Sequence, residues 1–188
     1  MNDTKVVTVI QARLGSSRLP KKVLLSIKAK PLLLRMVERV EAAQLTGEIV
    51  VATSTESEDD PVEEICNKYN LEVYRGDLHD LLDRHYMVSK KYNADAVVKI
   101  PSDCPLIDPL VIDKVLKHYL DNRGRYDYVS NLHPATYPDG NDVEIMSFKL
   151  SKKLGKRQQK ISSVNTQHHT FGKTKINSKS VMLSGKPD

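Results

Sequence analysis

Between the strand-like residues Val6–Ile10 and the helix-like residues Leu32–Val40 lies the run Gln11-Ala12-Arg13-Leu14-Gly15-Ser16-Ser17-Arg18-Leu19-Pro20-Lys21-Lys22. A loop that follows a buried first strand leaves the strand's carboxyl end, which is where open α/β sheets bind ligands. Gly15 permits a tight turn or a close approach to a ligand, and Ser16 and Ser17 bring amide and hydroxyl donors. Arg13 and Arg18 offer planar forks that fit phosphate oxygens, and Lys22 offers a mobile point charge. The run is therefore expected to hold a polyphosphate, with Gln11 and Ala12 at its base. Charge runs are often only solvated loops, so the order of the residues carries this reading more than their charge does. A Walker A loop is excluded because no second glycine followed by Lys-Ser or Lys-Thr stands at the right offset. A dinucleotide fingerprint is excluded because it needs three spaced glycines.

Strand and helix signals alternate along most of the chain. Leu33, Met36, Val37 and Val40 fall on one helical face, with Pro31 suited to the first turn and Gly47 as the stop. Glu48–Ser54 reads as a second strand. Asp60-Pro61-Val62-Glu63 reads as a helix start, with a cap, a proline and a reciprocal carboxylate, running to about Tyr69. Leu71–Tyr74 reads as a strand, Leu78–Tyr92 as a helix and Ala94–Ile100 as a strongly apolar strand. Asp108 is placed to cap a helix from Pro109 through Leu120. Tyr126–Ser130 and Val143–Phe148 complete the strands. Repeated βα units imply a mainly parallel sheet with right-handed crossovers.

The pattern Q-A-R-x-G-S-x-R-L-P-x-K-x-L in residues 11–24 resembles the opening motif of the sugar-acid cytidylyltransferases, which include the acylneuraminate and 3-deoxy-manno-octulosonate enzymes. It is most similar to the spore-coat polysaccharide biosynthesis protein F group, which usually has glycine where this chain has Lys21. The resemblance covers roughly residues 5–150. It implies a Rossmann-like, three-layer α/β/α fold of the glycosyltransferase-A type. It also implies a nucleotidyltransferase that joins a nucleoside triphosphate, CTP in the family, to a sugar or sugar acid and releases pyrophosphate. Arg13, Arg18 and Lys22 would then meet the phosphates as catalytic groups. The alternatives are a sugar-1-phosphate nucleotidyltransferase using another triphosphate, and a nucleotide-binding protein without turnover.

Asp103 in Ser102-Asp103-Cys104-Pro105-Leu106-Ile107 follows the apolar strand and should share the rim of the first loop. Magnesium binds through one or two carboxylates plus phosphate oxygens and water, so one placed aspartate suffices. The D-x-P-L-I pattern looks like the family's metal-bearing strand end; otherwise Asp103 is a turn residue. Asp142 and Glu144, two positions apart in a segment similar to the family's G-x-D-V-E, would share a face if extended. They stand as further Mg²⁺ candidates. Thr53 and Ser54 close the second strand on the same rim and are candidates to meet ribose or base. Arg75 is a phosphate candidate or pairs with Asp77 or Asp80, and Arg84 is expected to form a helical ion pair with Asp80. His79, His85, His118 and His133 show no metal spacing.

Residues 1–150 carry 20 Lys/Arg against 23 Asp/Glu, whereas residues 151–188 carry 9 against one acid. The overall charge of +5 therefore belongs to the C-terminal segment and argues little for a nucleic-acid partner. That segment also has only Phe171 as an aromatic residue for stacking. From about residue 151 it is polar and lacks the family's Arg-acid-His-x-x-Pro segment, with His168 and His169 as the nearest echo. Three readings stay open: a diverged element, a disordered tail, or a sequence shifted out of frame, which the abrupt end of the resemblance favours. Cys66 and Cys104 make no disulfide framework. No run approaches the roughly 20 apolar residues of a membrane span, and no apolar signal core opens the chain. A cytoplasmic protein without membrane or nucleic-acid partners is expected, and a homodimer stays open.

Overall fold

The structure is a computed structural model of the 188-residue chain and describes residues 4–16, 19–132, 135, 137–162 and 180–182. Its centre is β1 (Val6–Gln11), whose β-branched run is buried on both faces, as suits a central strand covered from both sides. A short hairpin, β2 (Ser26–Ile27) and β3 (Lys30–Pro31), leads into α1 (Leu32–Glu41). Then follow β4 (Glu48–Ser54), α2 (Asp60–Lys68), β5 (Glu72–Gly76), α3 (Leu81–Lys91), β6 (Ala96–Pro101) and α4 (Pro109–Asp121). The last elements are β7 (Tyr128–Ser130), β8 (Glu144–Ser147), α5 (Phe148–Ser162) and β9 (Ser180–Met182).

The seven-stranded sheet has the order β5-β4-β1-β6-β8-β7-β9. β5, β4, β1 and β6 run parallel, β8 is antiparallel to both its neighbours, and β9 is parallel to β7. Side-chain alternation along β1 divides the core into two layers. Val6 and Ile10 pack with Leu33, Met36, Val37 and Val40 of α1 and with Ile112, Val115 and Leu116 of α4. Val7 and Val9 pack with Leu82 and Val88 of α3 and with Leu150 and Leu154 of α5. The architecture is the expected three-layer α/β/α arrangement. Helix α5 runs without a break across residue 150, where the sequence suggests a boundary, and Tyr86 of α3 stacks on its Phe148 at 5.7 Å.

Several local expectations change. The first helix ends at Glu41 rather than at Gly47, and Gly47 instead turns the chain into β4 at φ 61°. A Cβ there would stand 2.1 Å from the Val6 carbonyl oxygen, so the position needs glycine for space as well as for conformation. The capping box at α2 does not form: the helix is entered from Asp59, and Glu63 turns away to Arg75. Asp108 caps α4 as expected, accepting from the Leu110 amide at 3.0 Å, with Pro109 in the first turn.

The first loop is folded tightly after Leu14. The Leu14 carbonyl accepts from the amides of Ser16 at 2.8 Å and Lys21 at 3.0 Å. Lys21 is left-handed at φ 56° and delivers the chain into a single 3-10 turn, Lys22–Leu24. Lys21 stands where the resembling group has glycine, and the left-handed backbone supplies the reason.

The two left-handed positions predict opposite outcomes. Gly47→Ala should destabilise the protein by about 2–4 kcal/mol, combining backbone strain with overlap on β1. Lys21→Gly should stabilise it by about 0.5–1 kcal/mol, because the relief of left-handed strain exceeds the entropy added to the unfolded chain. Urea unfolding of the two variants beside the parent checks both.

Candidate nucleotide site

The carboxyl ends of β4, β1 and β6 are in register at Ala52, Gln11 and Pro101, and the loops that leave them meet there. The first loop is held from below by Asp59, which is 2% exposed. Its Oδ1 accepts from the Leu14 amide at 2.7 Å, and its Oδ2 accepts from the Ser54 amide at 3.2 Å and the Ser54 hydroxyl at 2.5 Å. Nothing in the sequence singled Asp59 out. Only its position across from Leu14, 45 residues away, makes it the anchor of the loop.

Across the site, Lys22 Nζ lies 2.6 Å from Asp103 Oδ2. The loop lysine and the strand-end aspartate, singled out for different tasks, thus share one spot. Burial works to raise the Asp103 carboxyl, but the hydrogen bond and charge of Lys22 outweigh it and hold it below the ordinary carboxylate range. Arg13, at the exit of β1, makes no hydrogen bond or ion pair among the described residues. Ser17 and Arg18 lie outside the described residues, as do His133, His168 and His169.

Asp142 sits in the segment before β8, which two asparagines pin over the β6 loop. Asn141 Oδ1 accepts from the Asp108 amide at 2.9 Å, and its Nδ2 donates to the Pro138 carbonyl. Asn131 donates to the Asn141 carbonyl at 2.6 Å and accepts from the Val143 amide at 2.9 Å. Burial first, and then the charges of Asp139, Glu144 and Asp103, push the Asp142 carboxyl up. Neither asparagine stood out in the sequence, since their task is visible only once both loops are in place.

Other expected site residues are occupied elsewhere. Asp142 precedes β8 and does not share a strand face with Glu144. Glu144 is buried, with Oε1 2.5 Å from Lys99 Nζ and Oε2 accepting from the Tyr128 hydroxyl at 2.6 Å. Both its oxygens are thus engaged, which leaves it tied into the sheet rather than free for a metal. Arg75 pairs with Glu63 at 2.7 Å and Asp60 at 2.6 Å, not with Asp77 or Asp80, and donates to the carbonyls of Ser54 and Glu56. With every branch engaged it fastens α2 to the sheet instead of facing a phosphate. The Ser54 hydroxyl donates to Asp59, and the Thr53 hydroxyl is buried without a partner among the described residues, so neither is presented to a ribose.

Gly15 is not left-handed, and a Cβ there would make only an ordinary 3.6 Å contact with Glu58. The chain itself does not require glycine there. The expected Asp80–Arg84 ion pair is absent, because Asp80 turns its carboxylate back to the Asp83 amide as the cap of α3, at 2.8 Å. Arg84 folds inward instead and is fully buried.

No cage of three or more His, Cys, Asp or Glu is positioned for a metal ion among the described residues. Likewise, none of the described helices is long and apolar enough to cross a membrane.

The family model for cytidylyltransferases matches residues 7–182. Spore coat polysaccharide biosynthesis protein SpsF of Bacillus subtilis is 33% identical over 135 residues, covering 70% of this chain and 55% of that protein. A cytidylyltransferase structure from Leptospira borgpetersenii superposes with a TM-score of 0.85 at 32% identity, over 98% of this chain and 78% of that one. A CMP:2-keto-3-deoxy-manno-octonic acid synthetase complexed with CTP shares the fold, at a TM-score of 0.68 and 20% identity, over 97% of this chain and 92% of that one. The chain spans 60% or less of the length of the first curated relatives it matches. With a tight cationic loop at the end of β1, an aspartate at the end of β6 and the family model spanning both, the chain belongs to the cytidylyltransferase family.

Proposed function

We propose that this chain forms the nucleotide-binding core of an enzyme that transfers a cytidylyl group from CTP to a sugar or sugar acid. The observation that carries the reading is the meeting of Lys22 and Asp103 at 2.6 Å, with Arg13 of the same loop making no hydrogen bond or ion pair among the described residues. A cation of the phosphate loop already rests on the carboxylate where a second cation would be wanted. Family membership supports cytidine, and the synthetase complexed with CTP and the spore-coat relative support a sugar-acid or polysaccharide route.

The reaction asks for little covalent chemistry from the protein. A sugar hydroxyl oxygen attacks the α-phosphorus in line, its proton passes to solvent, the bond to the bridging oxygen breaks, and pyrophosphate leaves with the negative charge. Catalysis then rests on positioning and charge neutralisation. Arg13 and Lys22 would hold phosphate oxygens, joined by Arg18 as the resemblance implies. Asp103 and Asp142 fit a hard cation: their like charges already oppose each other, and Lys22 stands on Asp103 in a cation's place. Mg²⁺ held there would neutralise the leaving phosphates. Lys22 would exchange Asp103 for a phosphate oxygen as the nucleotide enters.

Pyrophosphate release from a panel of nucleoside triphosphates, with sugar acids and Mg²⁺ present, tests the reading. Binding of none of the triphosphates would overturn it, and a preference for another base would move it to a different nucleotide. Arg13→Ala should weaken CTP binding by about 1–3 kcal/mol, as a charge-assisted phosphate contact is lost. Its melting temperature should barely move, since no internal partner is lost.

Asp103→Asn separates the metal role from a merely local one. Metal-free CTP should bind as well as to the parent or more tightly, because Lys22 is released and one repelling carboxylate is gone. The enhancement of binding by Mg²⁺ and the release of pyrophosphate should both fall sharply. Calorimetry with and without Mg²⁺ checks this, and an unchanged magnesium enhancement would remove Asp103 from the metal site.

A further inference from the structure

Arg84 is the largest fully buried side chain of the described core, yet it is scarcely satisfied. Its Nη2 reaches the Leu78 carbonyl only at 3.5 Å, and Nε and Nη1 have no hydrogen-bond partner among the described residues. The carboxylates around it are committed elsewhere. Asp59 holds Leu14 and Ser54, Asp77 accepts from the amides of His79 and Asp80, and Asp80 caps α3. Burial and, after it, the charge of Arg13 push the Arg84 guanidinium below its ordinary range, against the opposing charges of Asp59, Asp77 and Asp80. An interior cation with unmet donors beside another cation is costly, and a fold retains such a group when something outside the fold compensates it.

The surrounding structure makes room for this side chain. A Cβ at Gly76 would fall 2.6 Å from Arg84 Cγ and 3.0 Å from Tyr74 Cε1. Gly76 is not left-handed, so glycine is needed there to let the arginine stem pass rather than to turn the chain. Gly76 stands in register with Ser54, which shares Asp59 with Leu14. Those contacts place Arg84 beneath the first loop, on the same edge of the sheet as Arg13.

We propose that Arg84 is a buried charge anchor for the polyphosphate, whose positive charge beneath the first loop, with donors unmet by the fold, is stabilised further when a di- or triphosphate binds above it. It is a positioning residue, acting through the field it sets up under Arg13 and the loop rather than by touching the ligand. In a poorly polarisable interior such a fixed charge acts more strongly than one in water, and it needs no rearrangement when the anion arrives. The inference rests on the nucleotide reading for its biological ligand, but inorganic pyrophosphate probes the anion site independently.

The test is calorimetric binding of pyrophosphate and of CTP to the full chain, to Arg84→Met and to Arg84→Lys, with melting temperatures of the free proteins. Arg84→Met should weaken both ligands at least tenfold while the free protein melts at the same or a higher temperature. Arg84→Lys keeps the charge and should stay within about threefold of the parent. A methionine variant with parental affinity overturns the proposal, whatever its melting temperature. A lysine variant as weak as the methionine one also overturns it, since the fork and not the charge would then matter. Should the methionine variant not fold, Arg84→Gln decides by the same tenfold criterion. Pyrophosphate binding that depends on Arg84 in a chain that binds no triphosphate would sustain the anchor while refuting the nucleotide reading.

Discussion

The site is organised around the carboxylate of Asp59. It lies in the interior and accepts from the Leu14 amide on one side and from the amide and hydroxyl of Ser54 on the other. The loop after β1 and the end of β4 therefore cannot shift independently. Buried amides must be satisfied, and the early part of a loop rich in cations has few internal acceptors to offer. By supplying that acceptor from the turn before α2, the chain fixes the start of the loop while leaving Arg13 without an internal partner among the described residues. The tight return from Leu14 to Lys21 then sets Lys22 against Asp103.

The other half of the site depends on interior polar ties of a different kind. Lys99 and Glu144 stand in register on β6 and β8, and Tyr128 of β7 completes the set. Burial first, and then the charge of Glu144, raise the Tyr128 hydroxyl, so it stays a donor. Such an interior ion pair offers less stability than an apolar replacement would, but losing one partner is expensive. Here the pair coincides with the place where the sheet changes from parallel to antiparallel. Fixing that register sets where the preceding segment, with Asp142 and Asn141, arrives above the β6 loop. A specificity role for the pair follows from its position rather than from its energy.

Arg13, Arg84 and Lys22 show three ways of holding positive charge at one sheet edge. Among the described residues, Arg13 lies at the exit of β1 without a partner, Lys22 is partnered by a carboxylate, and Arg84 is interior with unmet donors. Each suits the proposed reading of a polyanion site, because like charges raise the energy of such a site when empty and opposite charge lowers it on binding.

The sequence by itself determined the layers and the placement of the chemistry along the chain. β-Branched runs and helical faces such as Leu33, Met36, Val37 and Val40 carry a period that only one burial geometry satisfies. The ends of β1 and β6 were legible as rim positions because parallel βα units put all such ends on one side. What the tertiary structure alone decided is the partner of each polar group. Arg75 takes Asp60 and Glu63, Ser54 takes Asp59, Glu144 takes Lys99 and Tyr128, and Arg84 turns inward past Gly76 rather than out to Asp80. Apolar burial follows local periodicity, whereas a hydrogen bond is a short, directional choice among donors and acceptors that only the packed chain brings within reach.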